Sequence, residues 1–211
     1  KTGSTMKEVL QHYLPKIAAS KALRRLGVKT GDYFVVSAHR EENVDSMENF
    51  RDLLDTLNAV AKKYGRKIIV STHPRTRKRL EALDARPLSP QIEFLKPLGF
   101  FDYVKLQMHA KCVISDSGTL TEESSILGFP GVMIRQAHER PEGMDEATVI
   151  MCGLKSRAVI EAIQVSVAHY AGGARPFKLI SDYDVDNVSR KVLRIILSYT
   201  GFVNRTVWFK R

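Results

Sequence analysis

Histidine, arginine and carboxylate side chains concentrate in four short segments, 37–43, 71–75, 115–118 and 136–142. Arginine pairs with phosphate oxygens, histidine transfers protons near neutral pH, and carboxylates accept hydrogen bonds from sugar hydroxyls. Each segment directly follows a run of apolar residues. These residue types indicate a site for a phosphorylated ligand, provided that the fold brings the four segments together.

The apolar runs before these segments predict how the segments are positioned. They occupy 33–36, 68–70, 112–114 and 132–134, and short apolar runs of this kind are typical of buried parallel strands. Helical patterns alternate with them along the chain, so we expect an α/β fold, a Rossmann-like parallel sheet with helices on both faces. Ligands of such sheets bind outside the carboxyl ends of the strands. The four segments should therefore form one shared site.

The segment Asp116-Ser117-Gly118 ends a predicted strand and begins a predicted helix, where free amides and a partial positive charge favour an anion. Ser117 adds a hydroxyl group, and Gly118 lets a phosphate approach the backbone. The alternative, that Asp116 or Ser117 only caps the helix, stays equally open. One turn further, Glu123 could reach vicinal hydroxyls, whereas we expect Glu122 to lie on a solvated helix face.

Five polar residues beginning with His39 follow the first strand, and we favour a functional role for them. His39 can transfer a proton or hydrogen-bond a phosphate, and Arg40 can clamp a phosphate or hold the loop through a carboxylate. His73 occupies the matching place after the next strand, as a ligand contact or as a solvated turn residue. Arg140 can contact the ligand or simply pair with Glu142.

Composition argues against several other classes of protein. The chain has 211 residues and a net charge of +10, but its basic residues are dispersed. This favours a basic surface around an anion site over nucleic-acid binding. No apolar span of membrane length occurs, so we expect a cytoplasmic protein. Cys112 and Cys152 lie in apolar stretches and are expected to be inert core thiols. No metal-ligand spacing or dinucleotide fingerprint occurs, so we expect neither a metal nor a cofactor.

Taken in order, the motifs resemble the non-hydrolysing UDP-N-acetylglucosamine 2-epimerase family, in particular its C-terminal domain. The resemblance covers nearly the whole chain. The matching pieces are His39-Arg40-Glu41-Glu42-Asn43, His73-Pro74, 97–103, Asp116-Ser117-Gly118 with Glu122-Glu123, Gly128-Phe129-Pro130 and Glu139-Arg140-Pro141-Glu142.

The resemblance implies roles for individual residues, which we carry over position by position. Ser117 and Gly118 would bind the diphosphate of UDP, Glu123 the ribose hydroxyls, Tyr103 would face uracil, and Arg140 would contact the nucleotide. His39 would be the catalytic histidine near the phosphates. The remaining candidates, for sugar-nucleotide or regulatory contacts, are Arg40, Glu42 and His73.

The resemblance also implies an architecture and a reaction. The chain would be the C-terminal half of a GT-B-like two-domain enzyme, with interdomain linker helices at 1–30, the UDP-binding domain at 31–185, and a C-terminal helix with an aromatic tail at 186–211. The tail could pack on this domain or dock on an N-terminal domain that this chain lacks. That domain would supply the acid and base carboxylates, and the full-length enzyme would be a homodimer.

In the family, loss of the C2 proton is followed by anti elimination of UDP and its re-addition with inverted configuration at C2. Two departures from the commonest pattern, Thr119 in place of a second glycine and the segment 143–146, are similar to the branch acting on 6-deoxy sugars for capsule or O-antigen synthesis. Two alternatives remain. One is the nucleotide-binding domain of a GT-B glycosyltransferase, and the other is a non-enzymatic basic nucleotide-binding module.

Overall fold

The computed structural model describes residues 1–82, 87–137, 140–173 and 175–210, without the side chains of Arg75 and Ala82. The segment 136–142 therefore lies partly outside the described residues, as does the loop that Pro87 and Pro90 predict at 84–90. Within the described residues, six strands, β1 to β6, span Tyr33–Ser37, Lys67–Ser71, Ile92–Leu95, Cys112–Ser115, Gly131–Met133 and Ile150–Met151. The same residues form ten helices, α1 to α10, which span Met6–Ala19, Ala22–Arg25, Glu41–Val44, Met47–Tyr64, Pro74–Ala82, Phe100–His109, Thr119–Leu127, Pro141–Asp145, Ser156–Tyr170 and Val188–Thr206.

The six strands form one parallel sheet in the order β3-β2-β1-β4-β5-β6, which confirms the predicted fold class. The chain runs outward from β1 in one direction and then returns to begin again at β4. The neighbouring pair β1 and β4 is therefore the point where the strand order reverses, and ligands of open α/β sheets bind outside that point. Ser37 is in register with Ser115 there, so the loops after these two strands begin side by side.

Alternating side chains of β1 explain why helices cover both faces of the sheet. Phe34 and Val36 pack in one apolar core with the buried apolar residues of α4 and α9. Tyr33 and Val35 point to the other core, which includes residues of α2, α6 and α7. All four side chains have no exposed surface, so the strand is buried on both sides, as its continuous apolar run predicts.

Two helices near the ends of the chain run further than the sequence pattern predicts, which is helix at 6–14 and at 187–199. Met6–Ala19 is one helix through Pro15, because Leu10 and Ile17 on either side of the proline are buried against the domain. The last helix continues to Thr206, past the predicted end at Tyr199.

The aromatic tail does not pack on this domain. The exposed fractions are 59% for Tyr199, 51% for Phe202, 64% for Trp208 and 83% for Phe209. This rules out the first of the two alternatives for the tail. Docking on another domain stays a prediction.

The two cysteines are unpaired, with Cys112 buried and Cys152 half-buried. Burial raises the pKa of the Cys152 thiol to about 12 and that of Cys112 higher still, so both stay protonated at neutral pH. The prediction of inert thiols is consistent with these environments. Within the described ranges, no helix combines the length and apolar character needed to cross a membrane.

Candidate functional site

The carboxylate of Asp116 organises the loops at the junction of β1 and β4. Asp116 has no exposed surface, and it accepts hydrogen bonds from the backbone amides of His39 at 3.0 Å and Arg40 at 2.9 Å. The side-chain amide of Asn43 donates to the same carboxylate at 3.0 Å, and Nδ1 of His39 lies 3.2 Å from it. Asp116 therefore does not cap the following helix, so the alternative of a capping role does not hold for Asp116. It instead fixes the polar loop after β1 beside the end of β4.

The helix that follows β4 presents its N-terminal end to the same edge of the sheet. Helix α7 begins at Thr119, with Gly118 as the N-cap residue, so no N-cap side chain satisfies the first amides. The Ser117 hydroxyl lies 2.9 Å from that of Thr119, and the Ser117 amide donates to the Ser115 hydroxyl at 3.0 Å. This end of α7 is well suited to an anion, because its partial positive charge adds to free hydrogen-bond donors.

Arg140 lies directly over Gly118. A Cβ atom added to Gly118 would approach Nε of Arg140 to 3.3 Å, so the absence of a side chain there lets the guanidinium sit against the start of α7. Nη1 of Arg140 pairs with Glu122 at 3.1 Å, whereas Glu142 accepts a hydrogen bond from the Tyr183 hydroxyl at 2.8 Å. Arg140 therefore pairs with Glu122 in the first turn of α7, and not with Glu142 as one of the predicted alternatives had it.

Glu122 was expected on a solvated helix face, and that expectation is wrong. Only 6% of Glu122 is exposed, and its carboxylate accepts a hydrogen bond from the Ser4 hydroxyl in addition to the pair with Arg140. The N-terminal segment folds back over α7 and covers this residue. Glu122 therefore balances the charge of Arg140 and ties the N-terminal segment to the site.

Close packing between α7 and α8 at Gly143 sets the position of Arg140, a role of Gly143 that the sequence pattern did not predict. A Cβ atom on Gly143 would lie 2.0 Å from Cγ2 of Thr121, which is far inside contact distance. Gly143 is buried in α8, the helix that Arg140 precedes as its N-cap residue. Its signal in the sequence was a glycine inside the helix that begins with Pro141.

Glu123 lies one turn into α7 and is 7% exposed. Its carboxylate accepts a hydrogen bond from Nε2 of Gln107, on α6, at 2.7 Å. Burial raises the pKa of Glu123 to about 7, while hydrogen bonds from Gln107 and Thr119 act in the opposite direction. The carboxyl group thus titrates near neutral pH. An ionised Glu123 would be a strong acceptor for hydroxyl groups.

Tyr103 packs against the core on the α2, α6 and α7 side of the sheet. Its hydroxyl group lies near the side chains of Ser37 and Ser115, and burial raises its pKa. The hydroxyl is thus placed beside the ends of β1 and β4. The structure places Tyr103 at the site, although the predicted contact with uracil concerns the ring and stays a prediction.

The three remaining candidates lie around this centre. Glu42 is half-exposed and pairs at 3.3 Å with Nε of Arg135, a 5% exposed side chain beyond β5 that the sequence analysis did not single out. The Arg40 side chain is partly exposed, and its amide is bound by Asp116. His73 is exposed at the beginning of α5. The neighbouring Thr76 hydroxyl donates to the Ala38 carbonyl, which fixes α5 to the end of β1.

The centre therefore combines an open helix N-terminus, one guanidinium, one imidazole and one carboxyl group that is neutral or ionised near pH 7. Such a set can neutralise a diphosphate, hold vicinal hydroxyls and stabilise negative charge that develops on a leaving phosphate. Among the described residues, no group of three or more His, Cys, Asp or Glu side chains is arranged to hold a metal ion.

The strand order and the strand-end site define a Rossmann-like domain of the kind found in GT-B enzymes. A family model described as UDP-N-acetylglucosamine 2-epimerase matches residues 1–197. The chain therefore belongs to the UDP-N-acetylglucosamine 2-epimerase family.

Individual relatives agree with this assignment. A UDP-N-acetylglucosamine 2-epimerase structure from Rickettsia bellii is 46% identical, with a TM-score of 0.87 over 100% of this chain and 56% of its own. The Methanocaldococcus jannaschii enzyme in complex with UDP-GlcNAc and UDP is 25% identical, with a TM-score of 0.79 over 93% of this chain and 54% of its own.

A sequence comparison with the Methanocaldococcus jannaschii UDP-N-acetylglucosamine 2-epimerase gives 31% identity over 149 residues, which are 69% of this chain and 41% of that protein. This chain thus spans about half the length of the relatives that it matches. The family and the fold follow from these comparisons.

Proposed function

We propose that this chain is the UDP-binding half of an epimerase that inverts C2 of a UDP-2-acetamido sugar. The observation that supports this most strongly is the arrangement along α7. Its open N-terminal end lies under Arg140, and Glu123 follows five residues later. Five residues of helix advance about 7 Å. A nucleoside diphosphate can bridge that distance between its phosphates and its ribose.

In this proposal each candidate residue has a stated role. The hydroxyl of Ser117 and the amide of Gly118 bind the diphosphate, and Arg140 pairs with it from the opposite side. Glu123 accepts hydrogen bonds from the ribose hydroxyls, and the ring of Tyr103 contacts uracil. Arg40, Glu42 and His73 extend the site toward the sugar or toward a regulatory nucleotide.

His39 is the proposed catalytic histidine. Asp116, a hydrogen-bond acceptor, lies 3.2 Å from its Nδ1 atom and favours the tautomer with the proton on Nδ1. The Nε2 atom then stays available to a ligand. The imidazole is 45% exposed at the edge where the diphosphate would bind, so Nε2, when protonated, can donate a proton to the departing diphosphate and take it back as UDP rejoins the sugar.

The reaction that fits these groups is removal of the C2 proton, elimination of UDP and its re-addition with inverted configuration at C2. Negative charge then develops on the departing diphosphate, where the helix amides and Arg140 stabilise it. The carboxylates that handle the C2 proton would come from a preceding domain, in a homodimeric, cytoplasmic enzyme of bacterial surface-polysaccharide synthesis.

The last helix supplies the proposed docking surface for that domain. Leu193, Ile196 and Leu197 on α10 are 57%, 55% and 71% exposed, and the aromatic tail continues the same apolar surface. An exposed apolar surface of this kind marks an interaction site. We therefore expect the domain organisation 1–30, 31–185 and 186–211, with the last segment bound to the N-terminal domain.

The direct test is calorimetric titration of UDP into this chain and into Glu123→Ala and Arg140→Ala. We expect saturable one-site binding that weakens at least tenfold in each variant, because each loses a hydrogen bond to or from a charged group. Glu161→Ala and Arg157→Ala are matched controls, since these two residues form an exposed pair on α9. Binding that is absent, or equally strong in all four variants, would contradict the proposal.

The domain proposal has a separate test. This chain alone should not convert UDP-N-acetylglucosamine into its C2 epimer, because the carboxylates that move the C2 proton would come from a second domain. Turnover by the chain at a rate above that of buffer would refute the claim that a second domain supplies the proton-transfer groups.

A further inference from the structure

Gln107 is a buried polar residue that the proposed mechanism has not used. It lies on α6 with 1% of its surface exposed, and its Nε2 donates to Oε2 of Glu123 at 2.7 Å. Its Oε1 atom is buried and has no hydrogen-bond partner among the described residues. One end of the amide is thus committed to Glu123, and the other end is unsatisfied.

A buried carbonyl oxygen without a hydrogen-bond donor is unfavourable for folding. Leucine or methionine would occupy the position among the apolar neighbours of α6 without that cost. The packing around Gln107 therefore does not explain why a glutamine occupies this position. The contact with Glu123 is the one hydrogen bond that the described residues provide for this side chain.

We propose that Gln107 is a positioning residue that holds Glu123 as an oriented, ionised acceptor for the vicinal hydroxyls of a ribose. This inference rests on the proposed UDP-binding function and adds a residue that determines selectivity for ribose. The amide engages one carboxylate oxygen and fixes the rotation of the group. The remaining lone pairs then face one direction, which suits two neighbouring hydroxyl donors.

The charges around Glu123 show why such a donor is needed. Burial disfavours its ionised form, and Glu122 on the same helix adds repulsion. Arg140 and the Thr119 hydroxyl favour ionisation, as Gln107 does, while the neighbouring Tyr103 hydroxyl stays protonated. Without the Gln107 amide, one of the groups that favour ionisation of Glu123 is lost, while burial and the repulsion from Glu122 remain. The carboxyl group would then stay protonated to higher pH and bind ribose hydroxyls less well at pH 7.

The test uses Gln107→Met and Gln107→Leu, with Lys105→Met as a control on the same helix. UDP and 2′,3′-dideoxy-UDP are titrated from pH 6 to pH 9, and unfolding is measured in parallel. We expect about tenfold weaker UDP binding at pH 7 in both Gln107 variants, little change for the dideoxy nucleotide, and an affinity midpoint at higher pH. Unfolding stability should be unchanged or higher, because the unsatisfied carbonyl is gone.

A Glu123→Gln variant separates this inference from the function on which it rests. If Glu123→Gln weakens UDP binding but both Gln107 variants bind UDP with unchanged affinity, pH midpoint and ribose selectivity, the positioning role is refuted and UDP binding stands. If Glu123→Gln also leaves UDP affinity unchanged, the ribose contact itself is wrong. Equal weakening of both nucleotides in the Gln107 variants would show general damage to the site and would also overturn the inference.

Discussion

Replacing Glu123 by glutamine should stabilise the chain without ligand and impair it as a nucleotide binder. Burial raises the pKa of Glu123 from 4.5 to about 7, so the folded state favours the neutral acid. The stability gained from this group is fully present below pH 4.5 and is lost as the pH rises toward 7. Each pKa unit is worth about 1.4 kcal/mol, so the loss is at most about 3 kcal/mol above pH 7.

Glutamine cannot ionise, and it can still accept the hydrogen bond from Gln107. We therefore expect Glu123→Gln to match the unmodified chain at pH 4.5 and to exceed its free energy of unfolding by up to about 3 kcal/mol at pH 8. Urea unfolding followed by circular dichroism at pH 4.5, 6 and 8 measures the difference. Glu161→Gln is the control, because Glu161 is exposed and pairs only across one turn of α9 with Arg157.

The same titration should accompany nucleotide binding. If ribose requires an ionised Glu123, UDP binding at pH 6 releases a proton, and the measured enthalpy will depend on the ionisation enthalpy of the buffer. Glu123→Gln should abolish this dependence. A stability difference that is equal at pH 4.5 and pH 8, or a less stable variant at pH 8, would refute the reasoning.

Three further substitutions test the framework of the site. Asp116→Asn replaces a carboxylate that accepts several hydrogen bonds by an amide whose own NH2 group must face some of the same donors. The free energy of unfolding, measured by denaturant titration, should fall by about 2–3 kcal/mol. Gly118→Ala should keep stability within about 1 kcal/mol because φ is −61°, yet weaken UDP roughly tenfold by displacing Arg140. Gly143→Ala must push α8 from Thr121, lowering stability by about 1–3 kcal/mol and weakening UDP binding in calorimetry.

The sheet and the location of the site could be predicted because both depend on local patterns. Continuous apolar runs define buried strands, and the polar segments follow them directly. The apolar run 68–70, for example, forms the buried centre of the strand Lys67–Ser71. The order of the strands came from no local pattern, yet it decides that the loops after β1 and β4 meet.

The errors arise where distant segments meet. Glu122 was predicted to be solvated because nothing near it in sequence shows that Ser4 arrives from 118 residues away. The pairing of Gln107 with Glu123 likewise joins two helices. Local propensity could not reveal these outcomes, since tertiary contacts decide them.

The central claim is that UDP lies along α7, and a crystal structure of the chain with UDP tests it most directly. The account predicts diphosphate oxygens at the amides of Gly118 and Thr119 under Arg140, and both ribose hydroxyls on Glu123. UDP bound elsewhere on the sheet edge, or in the opposite direction with its ribose at Gly118, would contradict the account.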